Sequence, residues 1–449
     1  MEPITLAVAL VASALAWRAR PPGALSIFLA VLCWYPQFLT VKVGTVDLSV
    51  GRIVIFVVLA NGIVRTSALR RFRGNLLDCF VCVAFLGQCF ALSLNEPLMK
   101  VLEREGGTLV DTLLPYFAIR LMVTTREDLV ALVKGLVVVA LPLALVGAYQ
   151  SVTGHNPFGF MKGYAAWAPG EQVLLRRHGL FRADATFKNY ISFGLFFAGA
   201  FPLCIALWRS AGPNRRPALA VAAGVVLMGV VSSMSSAPFF ALAVCIMFMC
   251  GFPFRRFWPP LVLFLIACIV FLEFYSNRHF YHVLTRFAFN SETAYYRIGL
   301  FDEAFGGGMQ GHWLTGYGYV GFMADELKPG FNWFHKDLVN IYIARLARFG
   351  LTGLLPYLGV NVLYYRRLYR AAGQAPDPGD QWWIWCIAAT LVGWNVAMMT
   401  TNVLAQLEPL MYMFIGMAGN APLVFGSETR AEAPDLDEGA WRPSDCALI

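Results

Sequence analysis

The chain has 449 residues, of which 58% are apolar and only 14% are charged, and its formal net charge is +8. Soluble globular proteins carry roughly 25% charged residues, so this composition excludes an ordinary soluble domain and indicates an integral membrane protein. The positive balance does not indicate a nucleic-acid partner, because the basic residues recur in short loops, where they orient membrane helices.

Apolar runs follow one another along nearly the whole chain, and most are about as long as a membrane-spanning helix, which needs about 20 residues. The first run lacks a small-residue cleavage site and is followed directly by others, so we expect a retained helix and not a cleaved signal peptide. Because the runs are continuous and do not alternate, they predict an all-α polytopic membrane protein, a bundle of about 12–13 transmembrane helices with two long periplasmic loops. The runs lie at about 3–17, 24–41, 48–64, 76–94, 108–123, 128–150, 190–208, 218–232, 236–252, 258–275, 338–365, 381–403 and 407–425.

Arginines occupy every second connection between these runs. The positive-inside rule places such connections in the cytoplasm and the intervening connections on the outer side. Both long polar loops then fall on the outer side, although only the short loops entered the charge rule. The outer connections are 42–47, 95–107, 151–189, 233–235, 276–337 and 404–406. The inner ones hold Arg18, Arg20, Arg65, Arg70, Arg71, Arg73, Arg126, Arg209, Arg215, Arg216, Arg255, Arg256, Arg366, Arg367 and Arg370.

These assignments divide the chain into six segments, of which we expect the larger outer loop to be catalytic. The tail is acidic and contains prolines, so we expect it to be disordered. The ten cysteines lie in apolar runs or in the tail, without the clustered spacing of a zinc site, so neither a metal centre nor disulfides are predicted. The segments are the N-terminal transmembrane helices (1–150), the first periplasmic loop (151–189), the middle transmembrane helices (190–275), the large periplasmic loop (276–337), the C-terminal transmembrane helices (338–425) and the cytoplasmic tail (426–449).

The outer loops carry a dense group of cations, where the positive-inside rule predicts few. Guanidinium groups bind phosphate or carboxylate oxygens in bidentate geometry, so the group as a whole predicts a phosphate-bearing ligand. For any single arginine the alternative is contact with lipid headgroups or an ion pair with Glu171, Asp184, Glu292, Asp302 or Glu303. The cations are Arg176, Arg177, Arg182 and Lys188 in the first loop, and Arg278, Arg286 and Arg297 in the second.

Two histidines, His312 and His335, lie in the second loop. Histidine titrates near neutral pH, which suits a general base. A lone histidine is often structural instead, so residue type does not choose between the two interpretations.

Residues 297–355 resemble the O-antigen ligase and O-antigen polymerase superfamily of polytopic membrane glycosyltransferases. The shared pattern begins with Arg297 at the head of an amphipathic stretch, followed by a G-x-G turn at 316–318. A segment with His and Asn then leads into a helix with G-x-x-G at Gly350 and Gly353. Upstream, R-H-G-L-F-R-A-D-A-T-F-K-N-Y is similar to the G-x-F segment that precedes a membrane helix in that family.

Two positions depart from the family pattern. The family often has adjacent His and Asn; Asn340 fits the Asn, but Val339 occupies the His position. His335 lies one helical turn earlier, on the same face if the helix begins that early. The family also often has Ser-Arg-Gly after a middle helix, whereas residues 232–238 read S-S-M-S-S-A-P. We expect an arginine of the first loop to replace the missing one.

The resemblance implies a donor of the undecaprenyl-diphosphate-linked oligosaccharide type at the outer face of a bacterial inner membrane, with the active site facing the periplasm. The acceptor is a sugar hydroxyl, on another lipid-linked repeat for a polymerase or on lipid A-core for a ligase, and no cofactor is implied. A base must take the acceptor proton, and cations must stabilise the departing diphosphate. The expected bases are His335 and, as its substitute, Asp337. Arg297 acts with Arg176, Arg177 and Arg182 as the diphosphate clamp, with Arg286 and Lys188 as further diphosphate-binding residues.

A transporter of polysaccharide or lipid-linked sugar is the alternative from another class. Ion-coupled transporters carry ionisable residues within several helices and often have broken helices or internal repeats. Arg345 is the main charge within a predicted helix here, and the remaining polar residues collect in the outer loops. This distribution favours an enzyme, and we expect a polymerase in preference to a ligase.

Overall fold

A computed structural model of the chain describes residues 2–44, 46–65, 72–164, 176–275, 279, 282, 291–319, 338–402 and 405–426. These residues are almost entirely helical. The helices are α1 (Glu2–Arg18), α2 (Pro21–Trp34), α3 (Val50–Arg65), α4 (Leu76–Asn95), α5 (Leu98–Met122), α6 (Arg126–Thr153), α7 (Tyr190–Ser210), α8 (Arg216–Ser232), α9 (Ser236–Cys250), α10 (Trp258–Tyr275), α11 (Ser291–Glu303), α12 (Ile341–Gln374), α13 (Pro378–Ala397) and α14 (Leu407–Phe425). Two short antiparallel hairpins pair β1 (Thr40–Val43) with β2 (Val46–Ser49), and β3 (Arg176–Arg177) with β4 (Leu180–Phe181).

Each of the thirteen apolar runs contains a helix, and α11 is an additional helix within the second outer loop. Five described segments are long and apolar enough to cross a membrane: α4, α6, α7, Pro213–Ser232 and α12. The chain is therefore an all-α membrane protein, as predicted. The number of spans and the compartment at each end stay predictions.

Two helix boundaries differ from the hydropathy pattern. The predicted run 24–41 is helical only as far as Trp34, because the residue before Pro36 is restricted to extended backbone, and the chain then enters the β1–β2 hairpin. In contrast, α5 begins at Leu98, ten residues before its apolar run. Residues 98–107, assigned above to an outer connection, are the polar first turns of this helix.

Close helix packing forms the core. The longest helix, α12, packs along α4, and α14 packs along α5. Gly199 of α7 lies directly against the ring of Trp394 of α13, where a Cβ atom would be 2.5 Å from the indole. The indole nitrogen of Trp394 donates a hydrogen bond to the carbonyl of Leu195 at 2.7 Å. A small residue facing a large aromatic lets the two backbones approach, as membrane helices require.

The outer connections contact one another. The amide of Gln406, before α14, donates to the carbonyl of Thr186 in the first long loop at 3.0 Å. The amide of Asn95, at the end of α4, donates to the carbonyl of Thr315 in the second loop at 3.1 Å. Each long loop thus contacts one of the short outer connections.

The inner connections form a second group of contacts. Arg126, the first residue of α6, forms an ion pair with Asp380 at 2.8 Å. Arg120 near the end of α5 forms a buried ion pair with Asp78 at 2.7 Å, and the Tyr116 hydroxyl donates to the same carboxylate. These charges have partners within the bundle, so we interpret these contacts as structural.

Candidate functional site

The second half of the first outer loop is folded into the bundle as an irregular, non-helical segment. Residues 183–187 are at most 2% exposed. The backbone amide of Ala183 donates to the carbonyl of Ser232 at 2.9 Å, and the hydroxyl of Thr186 donates to the carbonyl of Cys33. Non-helical backbone is tolerated inside a membrane protein only where its polar groups have partners. These side-chain and backbone contacts fix the segment in position.

Asp184 is at the centre of this segment, and its carboxylate is fully engaged. It accepts hydrogen bonds from the amides of Gln150 at 2.8 Å and Asn156 at 3.0 Å, and it forms an ion pair with Lys162 at 2.8 Å. The Gln150 carbonyl oxygen in turn accepts the backbone amides of Asp184 and Ala185. The alternative that Asp184 neutralises one of the loop arginines is therefore wrong, since its charge is balanced by Lys162.

The β3–β4 hairpin brings the first-loop arginines together. Its turn contains His178 and Gly179, both with positive φ (50° and 85°), which suits a two-residue hairpin turn. The Arg176 guanidinium lies 4.2 Å from the centre of the Phe181 ring, on the paired strand. Arg182 follows directly and stacks 3.2 Å from the centre of the Tyr190 ring.

Arg177 reaches the turn between α8 and α9, where the family pattern has an arginine and this chain does not. Its guanidinium donates to the carbonyl of Met234 at 3.3 Å. Met234 has φ +44°, a strained value for a residue other than glycine. The structure thus places a first-loop arginine at the S-S-M-S-S-A-P turn.

Arg182 has no carboxylate within ion-pair distance among the described residues. It is half-buried, and within the described part of the chain its Nε has no hydrogen-bond partner. Burial lowers the pKa of Arg182 to about 10, and the neighbouring positive charge of Arg177 adds to this effect. Among the residues that the structure describes, no carboxylate lies within ion-pair distance of Arg176 or Arg182. Lys188 lies further along the same segment, exposed to solvent.

In the second outer loop, Arg297 lies on α11, which packs through Leu300 against the first turns of α12. Arg297 is half-buried, and burial lowers the pKa of its guanidinium. No contact between described residues joins Arg297 to the arginines of the first loop. His335, Asp337 and Arg286 lie outside the described residues.

The start of α12 bears on the expectation that His335 shares a helical face with Asn340. Asn340 is the N-cap of α12, with extended backbone (φ −132°, ψ 119°), and its side-chain oxygen accepts the amides of Tyr342 and Ile343. Its amide donates to the carbonyl of Met399 at 3.0 Å, and the residue is 1% exposed. α12 therefore begins at Ile341, so the condition that this helix reaches back to the position of His335 is not met. Asn340 is an anchoring residue that is fully engaged within the protein.

His312 has a structural environment. Its ring stacks on Tyr317 with 4.0 Å between ring centres, and its Nδ1 lies 3.3 Å from the carbonyl oxygen of Gly316. The Tyr317 hydroxyl donates to the carbonyl of Gly308. These contacts order the turn that contains the G-x-G motif.

The G-x-G turn docks into a break in α12. At Gly350 the helix is interrupted (φ 62°, ψ −158°), and four backbone hydrogen bonds of 2.7–3.1 Å join residues 313–318 to both sides of the break. A Cβ at Gly316 would lie 2.5 Å from the backbone of Arg348. The two glycine motifs of the family pattern therefore form one joint. The four hydrogen bonds run from the backbone amides of Tyr317, Gly318, Leu351 and Thr352 to the carbonyls of Ala347, Arg348, Trp313 and Leu314, respectively.

Sequence reasoning missed a group of buried charges beside this joint. Tyr319 lies between the guanidinium groups of Arg104 and Arg348, at 3.9 Å and 4.8 Å from the ring centre. Its amide donates to Glu96, which also forms an ion pair with Arg104 at 3.1 Å. Deeper in the bundle Arg345 contacts the side chains of α4, α5 and α14. Buried charges are thus more numerous than hydropathy predicts.

One signal for this group was present in the sequence. Arg345 and Arg348 are one helical turn apart, and Glu103, Arg104 and Glu105 immediately precede an apolar run. A charged triplet at the start of a helix faces both solvent and protein, so one of its members is expected to point inward.

No protein-family model matches this sequence, and no curated protein matches it significantly. The first-loop arginines and the joint at Gly350 are therefore the features of the molecule from which a function can be inferred.

Proposed function

We propose that the protein is a glycosyltransferase that moves an undecaprenyl-diphosphate-linked oligosaccharide onto a sugar hydroxyl at the outer face of a bacterial inner membrane. The preferred acceptor is another lipid-linked repeat, which makes the protein a polymerase of O-antigen or exopolysaccharide repeats. Lipid A-core as the acceptor, which makes it a ligase, is the alternative.

The observation that supports this proposal is that, among the described residues, no carboxylate lies within ion-pair distance of Arg176 or Arg182. Arg182 is half-buried beside Arg177, and the nearest carboxylate in the sequence, Asp184, is neutralised by Lys162. Holding a desolvated guanidinium without a counter-ion is costly. A diphosphate provides that counter-ion and binds arginine in bidentate geometry.

The chemistry fits such a site. The acceptor hydroxyl oxygen forms a bond to the anomeric carbon, the bond from that carbon to the diphosphate oxygen breaks, and the diphosphate leaves with the electron pair. A base takes the hydroxyl proton, the role proposed for His335 with Asp337 as its substitute. The interaction of the arginines with the diphosphate becomes stronger as the diphosphate acquires negative charge, which lowers the activation barrier. Arg297 is proposed to join this clamp, with Arg286 and Lys188 in supporting positions.

The joint between the G-x-G turn and Gly350 supports an enzyme more than a transporter. Broken helices of transporters present their free backbone groups to substrates and ions. In α12 the groups on both sides of the break bond to residues 313–318. The break therefore anchors residues 313–318 of the second outer loop.

A gene deletion complemented with variants tests this proposal. Wild type, His335→Ala, Arg182→Gln and a control, Arg209→Gln, are expressed to matched levels, and surface glycan is resolved by length on a gel. Arg209 also stacks on an aromatic ring, 4.5 Å from the centre of a Trp382 ring, but lies at the inner end. We expect long chains with wild type and Arg209→Gln, and single repeats with the other two.

The same gel separates the alternatives. Full-length chains that accumulate on undecaprenyl diphosphate and never reach lipid A-core identify a ligase. Full complementation by Arg182→Gln contradicts the diphosphate clamp. Full complementation by His335→Ala shows that His335 is not the base.

A further inference from the structure

A second polar site lies deeper in the bundle, where the outer parts of α4, α5, α12 and α14 meet. The Gln88 amide donates to Glu105 Oε2 at 2.9 Å, and its carbonyl oxygen accepts from Arg345 Nη1 at 3.2 Å. The Arg345 guanidinium lies 4.1 Å from the centre of the Tyr357 ring. Gln88 thus connects an acid on one helix to a base on another.

The two charged groups of this site are incompletely satisfied. Glu105 is 3% exposed and Arg345 is 8% exposed. Among the described residues, neither Glu105 Oε1 nor Arg345 Nε has a hydrogen-bond partner. Buried polar atoms in native proteins are almost always paired, so each of these atoms indicates an additional bound group.

The charges around the site do not balance. Arg52 and Asp111 neutralise one another at 2.6 Å, as do Arg104 and Glu96. Arg345 is then left with two carboxyl groups, because Glu408 of α14 lies within electrostatic range of both Arg345 and Glu105. Of these two carboxyl groups Glu105 is buried and Glu408 is partly exposed. One guanidinium does not neutralise both, and the usual solution is that one of them binds a proton.

We propose that Glu105, Arg345 and Glu408 form a site that binds one exchangeable proton. This inference does not rest on the proposed glycosyltransferase activity, since it follows from the burial and charge of the three side chains alone. A proton on one carboxyl leaves a single negative charge opposite Arg345. It also converts that carboxyl from an acceptor only into a donor and acceptor.

Glu105 is the expected proton carrier. It lies in the polar first turns of α5, ahead of the apolar run, and burial raises its pKa to about 7 against the opposing effects of Gln88 and Arg345. The groups that face it are Arg345 from α12, Glu408 and Tyr412 from α14, Cys89 from α4, Arg104 from its own helix, Glu96 before that helix and Tyr319 from the second outer loop.

The site is connected to the docked segment of the second outer loop. Arg104 follows Glu103 and precedes Glu105 in α5, and its guanidinium holds both Glu96 and the Tyr319 ring. Loss of the proton from Glu105 adds a negative charge that competes with Glu96 for Arg104. The protonation state therefore affects how firmly Tyr319 is held.

Infrared spectroscopy of the purified full-length protein in detergent tests the proposal. The carboxylic-acid C=O band is followed across a pH titration in wild type, Glu105→Gln, Glu408→Gln and Glu103→Gln. Glu103 is the matched control, because it is exposed and lies two residues away on the same helix. Wild type and Glu103→Gln are expected to share a band with a midpoint near pH 7, as the pKa of Glu105 indicates.

The two site variants are expected to differ in opposite ways. Glu105→Gln loses the band, whereas Glu408→Gln keeps it with a midpoint at lower pH, because Arg345 then faces Glu105 alone. If Glu105→Gln does not fold, the Glu408→Gln midpoint alone decides. An unchanged midpoint in Glu408→Gln, or a band retained unchanged in folded Glu105→Gln, overturns the proposal.

Discussion

Replacing Gly350 by alanine tests the joint that holds the second outer loop. The backbone at Gly350 (φ 62°, ψ −158°) belongs to a region that only glycine occupies freely. A Cβ there would lie 2.5 Å from the nitrogen of Thr315 and closer still to the carbonyl of Leu314. The turn must therefore move away from α12, because both obstructing groups are backbone atoms.

The structure sets the size of the effect. Backbone strain of this kind costs about 1–3 kcal/mol, and each of the four hydrogen bonds across the break contributes a net amount of about 1 kcal/mol. Partial loss of these bonds together with the strain predicts a destabilisation of about 3 kcal/mol or more. Gly373→Ala is the control, because it lies on the same helix with open space around it, where alanine stabilises a helix by up to about 1 kcal/mol.

Two assays follow the change. Equilibrium unfolding in mixed micelles reports stability, and hydrogen exchange reports protection of the amides of Tyr317, Gly318 and Leu351. We expect Gly350→Ala to lose both and Gly373→Ala to lose neither. If Gly350→Ala matches Gly373→Ala in stability and keeps this protection, the docked joint does not exist in the protein.

Three further substitutions have defined outcomes in unfolding assays. Asn340→Ala removes the N-cap of α12 and an interhelical hydrogen bond, so we expect a loss of roughly 2 kcal/mol; an unchanged value contradicts the anchoring role. Asp184→Asn removes the ion pair between Asp184 and Lys162 and is expected to cost about 2 kcal/mol of stability at neutral pH. Lys162→Met and the double variant are measured alongside, to test whether the losses of stability from the two single substitutions overlap. Because the pKa of Glu105 is raised, the folded state keeps the proton to a higher pH than the unfolded state does. The wild type is therefore expected to lose about 3 kcal/mol of stability as pH rises from 4.5 to about 7. Glu105→Gln should abolish this slope, and Glu103→Gln should retain it.

The helices are predictable from hydropathy because a continuous apolar run has few stable alternatives to a helix in a membrane. Hydropathy fails at α5, where the charged residues 98–107 continue the helix because their inward side chains find partners on α4 and α12. It also gives no sign that residues 183–187 are buried. That burial depends on partners such as Gln150, which is distant in sequence.

The candidate site is predictable only in part. The first-loop arginines were identified because the positive-inside rule predicts few cations in an outer loop. In the structure Arg176 and Arg177 lie on one hairpin, and Arg182 directly follows it. His335 lies outside the described residues, and the condition for it to share a face of α12 with Asn340 is not met, because Asn340 is the N-cap of that helix. Asparagine is a preferred N-cap residue, so the sequence contained this signal. The joint at Gly350 was not predicted, although glycine is the residue that close backbone approach favours.

Transfer by the purified protein tests the central claim most directly. The protein in detergent is given undecaprenyl-diphosphate-linked oligosaccharide, and mass spectrometry follows both the extended lipid-linked product and the released undecaprenyl diphosphate. We predict that both form with wild type and Arg209→Gln, and that Arg182→Gln slows them by at least about tenfold. If neither forms, with or without added lipid A-core, and reconstituted vesicles instead move the intact lipid-linked sugar between leaflets, the protein is a transporter and the account is contradicted.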